Sequence, residues 1–142
     1  MKSIKKLLKQ ALVQSERERD SFAKSLGITG GQMSVSVIDF ISDQQDKTTS
    51  QHSIELEFNL RRSTVTVMIQ RMEKRDLVKR ITSANDKRQK LVSLTDKGKA
   101  LVPKIKAKIK MDNADLQQRF SPEQLSATIE VLEYIKNGKD NE

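Results

Sequence analysis

The chain has 142 residues with 27 Lys+Arg against 19 Asp+Glu, a net charge of +8, and a hydrophobic share of 35%. It has no Cys and one His, so disulfides, thiolate metal sites and thiol redox sensing are excluded, and a protein-only zinc site would need carboxylates for nearly all its ligands. Counting Gly in and Tyr out, the apolar share is about 38% against roughly 45–50% for an average soluble domain. A compact monomer of this length would be short of core, and with no Trp and 4% aromatics a base-stacking platform is not expected. No apolar run approaches the roughly 18–20 residues of a membrane span. The basic start at Lys2, Lys5 and Lys6 is interrupted too often to be a signal peptide, so a cytoplasmic protein is the expectation.

In chain order, Ile4, Leu7, Leu8, Ala11 and Leu12, and later Phe22, Ala23 and Leu26, follow helical spacing, which predicts a helix over 3–26. Thr29 and Gln32 match a capping box, predicting a second helix from there to about Ser42. A polar stretch, Asp43 to Thr49, follows. Ser50 can cap a short third helix carrying Ile54 and Phe58, and Asn59 accepts the left-handed turn that would end it. A fourth helix is predicted over about 61–75. Val65, Met68, Ile69 and Met72 form its buried stripe, and Ser63, Val67, Gln70 and Lys74 lie opposite, flanked by Thr66 and Arg71. The period then changes to strand-like over 77–82 and 90–94, on either side of a polar loop that contains Asp86, Lys87 and Arg88. This predicts a two-stranded hairpin leaning on a helix. Thr95 can cap a long fifth helix to about Gln118 with Pro103 inside it, where a kink is expected. Ser121-Pro122-Glu123-Gln124 is a helix start for a sixth, striped by Leu125, Ile129, Leu132 and Ile135.

The fold class expected is therefore mostly α with a small two-stranded β wing: a winged helix-turn-helix flanked by N- and C-terminal helices. Small side chains at Ser63, Thr64 and Thr66 let the fourth helix enter a major groove about 12 Å wide. Gln70 can read adenine and Arg71 guanine or phosphate, while Arg61 and Arg62 stand where the chain would meet the backbone. Arg88 at a hairpin tip suits a narrow minor groove, with Asp86 able to hold its guanidinium. Residues 61–110 hold 16 Lys+Arg and 4 Asp+Glu, a net of +12, against −4 for the rest. The charge thus gathers on these elements.

Ile28-Thr29-x-x-Gln32, Arg62-Ser-Thr-Val-Thr66, Met72-Glu-Lys-Arg-Asp-Leu-Val78, Asp86-x-Arg88 and Leu94-Thr95-x-x-Gly98, in that order, resemble the MarR family of bacterial transcriptional regulators over about residues 4–136. The resemblance implies a homodimer with intertwined first and last helices (1–28 and 96–142) and a DNA-binding lobe at 29–95. It also implies double-stranded DNA as partner, most often repression, and response to a small anionic or aromatic effector. Carried over by position, Ser63, Thr64, Thr66, Gln70 and Arg71 would face the major groove. Arg88 would enter the minor groove, with Asp86 orienting it and Lys87 beside it. Asp76 stands where the family often has Gly, and Arg61 leaves the fourth helix without a capping side chain. Pairing two copies would also bury the stripes on the first and last helices.

The blander readings are a charged turn at 86–88, a solvated surface at Lys104, Lys106, Lys108 and Lys110, and a surface position for His52. No nucleophile elbow, P-loop or Gly-x-Gly-x-x-Gly occurs, and neither catalytic residues nor a cofactor are expected. The competing functional reading is a non-specific basic, architectural nucleic-acid-binding protein. A winged helix that binds only protein is a third.

Overall fold

The computed structural model describes residues 1–29, 31–82 and 90–138. Helix α1, Ile4–Ser25, starts where the Ser3 hydroxyl accepts the Lys6 N–H at 3.2 Å. It ends in a turn at Leu26 and Gly27, the latter at φ +83°, a conformation glycine adopts without strain. Helix α2, Gln32–Ser42, begins later than the capping box predicted: its N-cap is Gly31, with no side-chain bond, and not Thr29. Packing decides this. A Cβ on Gly31 would run into Ile28 Cγ2 and stand 3.2 Å from Arg75 Nη1, so this close approach requires a glycine at the N-cap. Thr29 instead offers its carbonyl to Arg75.

After a 3-10 turn, Gln45–Lys47, the polar stretch forms a strand, β1, Thr48–Ser50. The sheet is consequently three-stranded in the order β1-β3-β2, where a two-stranded hairpin was expected; β2 is Val78–Thr82 and β3 Lys90–Leu94, both pairings antiparallel. The buried Ser93 hydroxyl holds β1 in place, donating to the Lys47 carbonyl at 3.2 Å and accepting from Thr48 Oγ1 at 3.1 Å. Ser50 caps helix α3, Gln51–Phe58, accepting from the Ser53 N–H at 3.0 Å. Asn59 ends α3 in the left-handed conformation, φ 52°, as its side chain permits. Helix α4 is Arg62–Lys74.

The core of the first compact unit, residues 1–102, gathers the inward stripes of these elements. Val37, Ile38 and Ile41 of α2, Ile54 of α3, Val65, Ile69 and Met72 of α4, and Val92 of β3 are fully buried. Each such side chain contributes about 1.5–3 kcal/mol by leaving water. Phe40 and Phe58 meet edge-to-face at 5.8 Å between ring centres.

Helix α5, Asp96–Arg119, is capped by the Thr95 hydroxyl, which accepts the Gly98 N–H at 3.1 Å, and includes Pro103. The second compact unit, residues 103–142, contains the rest of α5 and helix α6, Pro122–Asn137. The Ser121 capping box is complete: Gln124 N–H to Ser121 Oγ at 3.1 Å, and Ser121 N–H to Gln124 Oε1 at 2.9 Å. Ile4, Leu7 and Leu12 on α1 and Ile129, Val131, Leu132 and Tyr134 on α6 are exposed. No helix among the described residues is long and apolar enough to cross a membrane.

Candidate nucleic-acid interface

The interface is built on α4. Its inner stripe fixes which residues face out: with Val65, Ile69 and Met72 at zero exposure, the 100° step turns Ser63, Val67, Gln70, Arg71 and Lys74 to solvent. Met68, predicted in the core stripe, is only half-buried. Arg61 is the N-cap and makes no side-chain capping bond. The first-turn N–H groups are therefore left for an outside acceptor, beside the exposed guanidinium-bearing residues Arg61 and Arg62 and the exposed hydroxyls of Ser63 and Thr64. An uncapped helix start flanked by two arginines favours an anion such as phosphate.

Thr66 differs from its neighbours. It is half-buried, and its hydroxyl donates to the Arg62 carbonyl at 2.9 Å and accepts from Gln51 Nε2 at 2.8 Å. The hydroxyl expected at the groove is thus engaged inside the fold. Gln51, the first residue of α3, is 3% exposed; a polar side chain at the start of a short helix reads as surface, and nothing in the sequence marked it.

The far end of α4 is clamped as well. Arg75 donates through Nη2 to the Thr29 carbonyl in the α1–α2 loop. Lys97 Nζ reaches the Arg75 carbonyl at 2.9 Å, and the Thr95 hydroxyl donates to the Asp76 carbonyl. Asp76 has φ +59°, a left-handed geometry that Asp accepts. The Lys97 bond satisfies the C-cap carbonyl that the end of α4 leaves open.

The wing leaves this end directly. β2 and β3 pair from Val78↔Leu94 to Thr82↔Lys90. Arg80 Nε meets Glu73 Oε1 at 2.7 Å, tying the wing to α4 and pairing the one carboxylate that α4 carries. Lys79, Arg80 and Lys90 are exposed. Asp86, Lys87 and Arg88, the predicted wing tip, lie outside the described residues.

Between α2 and α4 opens a cleft of about 550 Å³. Met33 and Ser34 form one wall, and Ser63, Val67, Met68 and Arg71 the other. Arg75 also lines it, so apolar side chains, hydroxyls and two arginines share the cleft. His52 is exposed on α3. On α5, Lys108 is bonded to Asp112 at 2.8 Å, an intrahelical pair. Among the described residues no group of three or more His, Asp or Glu is placed to hold a metal ion.

Residues 23–89 match the model of the MarR family. The chain is similar to the transcription regulator MarR from Oenococcus oeni, at 30% identity and a TM-score of 0.82, over 96% of this chain and 100% of that one. The chain belongs to the MarR family. Its fold is the winged helix-turn-helix of that family, with α3 and α4 as the helix pair and β2–β3 as the wing. The same fold appears in Staphylococcus aureus MepR, solved as a DNA complex, at 19% identity and a TM-score of 0.81 over 93% of this chain and 96% of that one. It appears again in an Escherichia coli MarR mutant complexed with operator DNA, at 19% identity and 0.76, over 92% and 91%. No curated protein sequence matches significantly.

Proposed function

We propose that this MarR-family chain is a sequence-specific, double-stranded DNA-binding transcriptional regulator acting as a homodimer on a pseudo-palindromic operator, most simply as a ligand-responsive repressor. The observation that carries it is the outer face of α4: exposed cations and hydroxyls on a helix held at both ends by bonds to α3, the α1–α2 loop and the α5 cap. A reading surface needs such rigidity, because base-edge hydrogen bonds tolerate little displacement.

In this reading Arg61 and Arg62 bind the phosphate backbone. Ser63, Thr64, Gln70 and Arg71 face the major groove, with Thr66 behind them. Asp86, Lys87 and Arg88 form the wing tip, Arg88 entering the minor groove. Residues 29–95 act as the DNA-binding lobe, and 1–28 with 96–142 as the dimerisation region. Exposed Ile4, Leu7 and Leu12 on α1, and Ile129 and Leu132 on α6, support that division, since apolar stripes left on helix surfaces favour a second copy.

For the effector, a small anionic aromatic acid is compatible with the α2–α4 cleft. Its volume lies within the range of small-molecule sites, and Arg71 and Arg75 would receive the acid. A ligand there would contact Ser63, Thr64 and Arg71, so it would compete with DNA for these three side chains.

Selection of bound sequences from random duplexes, followed by titration of the selected and random duplexes at several salt concentrations, tests the function. A recovered palindrome whose half-sites are about one helical turn apart is the expected result. Equal affinity for both duplexes at physiological salt refutes it in favour of a non-specific basic binder.

A further inference from the structure

We infer that Gln51, a residue outside the reading face, is a positioning residue that sets the rotation of α4 in the groove and thereby the operator selectivity of the proposed regulator. The inference rests on that regulator reading. It begins from the direction of the bonds. Thr66 has one hydroxyl proton, and it goes to the Arg62 carbonyl at 2.9 Å. The hydroxyl can then only accept from Gln51, which fixes the amide with Nε2 toward Thr66 at 2.8 Å. The result is one directed chain, Gln51 amide to Thr66 hydroxyl to Arg62 carbonyl, joining the start of α3 to the first two turns of α4.

That orientation leaves Gln51 Oε1 buried with no hydrogen-bond partner among the described residues. A buried carbonyl oxygen without a donor destabilises the fold. For stability alone, an apolar side chain of similar volume would serve this buried site at least as well. Gln51 makes sense for the one thing an apolar residue cannot do, which is to hold Thr66 by a directional bond.

Thr66 is well placed to transmit the constraint. Ser63 precedes it by three residues and Gln70 follows by four, so both are its neighbours on the helix surface. Side chains extend about 5–6 Å from a helix axis, so a rotation of α4 by about 10° moves their ends by about 1 Å. This exceeds the spread of ordinary hydrogen-bond lengths and would break base contacts made by Gln70 or Arg71. Phosphate contacts through the long, flexible Arg61 and Arg62 side chains would survive it. Loss of the brace should therefore reduce selectivity and leave general affinity intact.

The test compares wild type, Gln51→Met, Thr66→Val, Thr66→Ser and the Gln51→Met/Thr66→Val double variant as full chains. Each is titrated with the selected operator and a random duplex of equal length, and urea midpoints are measured in parallel. For Gln51→Met and Thr66→Val we expect operator affinity to fall about tenfold, as for loss of one good base contact, with random-duplex affinity and salt slope unchanged. Thr66→Ser, which keeps the hydroxyl, retains selectivity. The double variant is no worse than either single one, because both cut the same chain. The midpoint of Gln51→Met stays level or rises, opposite to the loss of selectivity. If Gln51→Met does not fold, the contrast between Thr66→Val and Thr66→Ser decides alone. Variants that keep the wild-type operator-to-random ratio overturn the inference, as do equal losses on both duplexes. A wild type that binds all duplexes alike overturns the regulator reading first, and this inference with it.

Discussion

Replacing Gly98 by Ala sets two effects of known size against each other. Gly98 is buried in the first turn of α5. A Cβ there would press into the Leu77 carbonyl oxygen, stand 3.3 Å from its carbon and 3.5 Å from Leu94 Cδ2. The obstacle is backbone, and the same oxygen accepts the Thr95 N–H at 3.1 Å, so it cannot swing aside as a flexible side chain could. In favour of Ala is helix propensity, about 0.8–1.0 kcal/mol in a helix interior and less in a first turn. Against it is overpacking of a tight contact, typically about 1–3 kcal/mol. Sterics should win, giving a net loss of about 1–2 kcal/mol. With a urea m-value of about 2 kcal/mol/M, the midpoint falls by roughly 0.5–1 M at fixed protein concentration. The exposed neighbouring change Lys99→Ala is the control and should stay within about 0.5 kcal/mol of wild type. A Gly98→Ala midpoint equal to or above wild type would show that α5 is free to move off the Leu77 carbonyl, and the reasoning fails.

Ser121→Ala removes half of a complete capping box and should cost about 1 kcal/mol, read as a lower urea midpoint by circular dichroism. At Asp76, with φ +59°, Ala should destabilise by about 1 kcal/mol and Gly should leave the midpoint within about 0.5 kcal/mol, since only Ala combines a Cβ with no local polar compensation. Arg88→Ala should weaken operator binding by roughly 1–3 kcal/mol with the proposed dimer intact by sedimentation; an unchanged affinity refutes the wing assignment. Arg62→Ala should weaken operator and random duplexes alike and lower the salt slope by about 1, a pattern a base-reading residue would not give.

What the sequence made legible was local, and what it hid depended on distant neighbours. The caps at Ser50, Thr95 and Ser121 were readable because a cap involves a side chain and an N–H three residues on. Thr29 carries the same signal, yet the N-cap of α2 is Gly31, where Ile28 and Arg75 pack too closely for a Cβ, a contact no local pattern encodes. Strand β1 was invisible for a related reason. Thr48-Thr49-Ser50 has no apolar alternation, and its pairing comes from β3 residues more than forty positions later. The stripe of α4 was legible from its period, so the outward residues followed, apart from Met68, which borders the cleft. Periodicity could place Thr66 at the edge of the reading face, but only the packing of α3 against α4 shows that its hydroxyl is already bonded. The same holds for Gln51 and Arg75, polar residues that sequence treats as surface and the fold uses to hold the reading helix at both ends. Sequence thus identifies the polar residues that α4 turns outward. How firmly that face is held depends on the polar residues behind it, Gln51 at one end and Arg75 at the other, and the selectivity role proposed for Gln51 is separable from the outer face because Gln51→Met leaves that face unchanged.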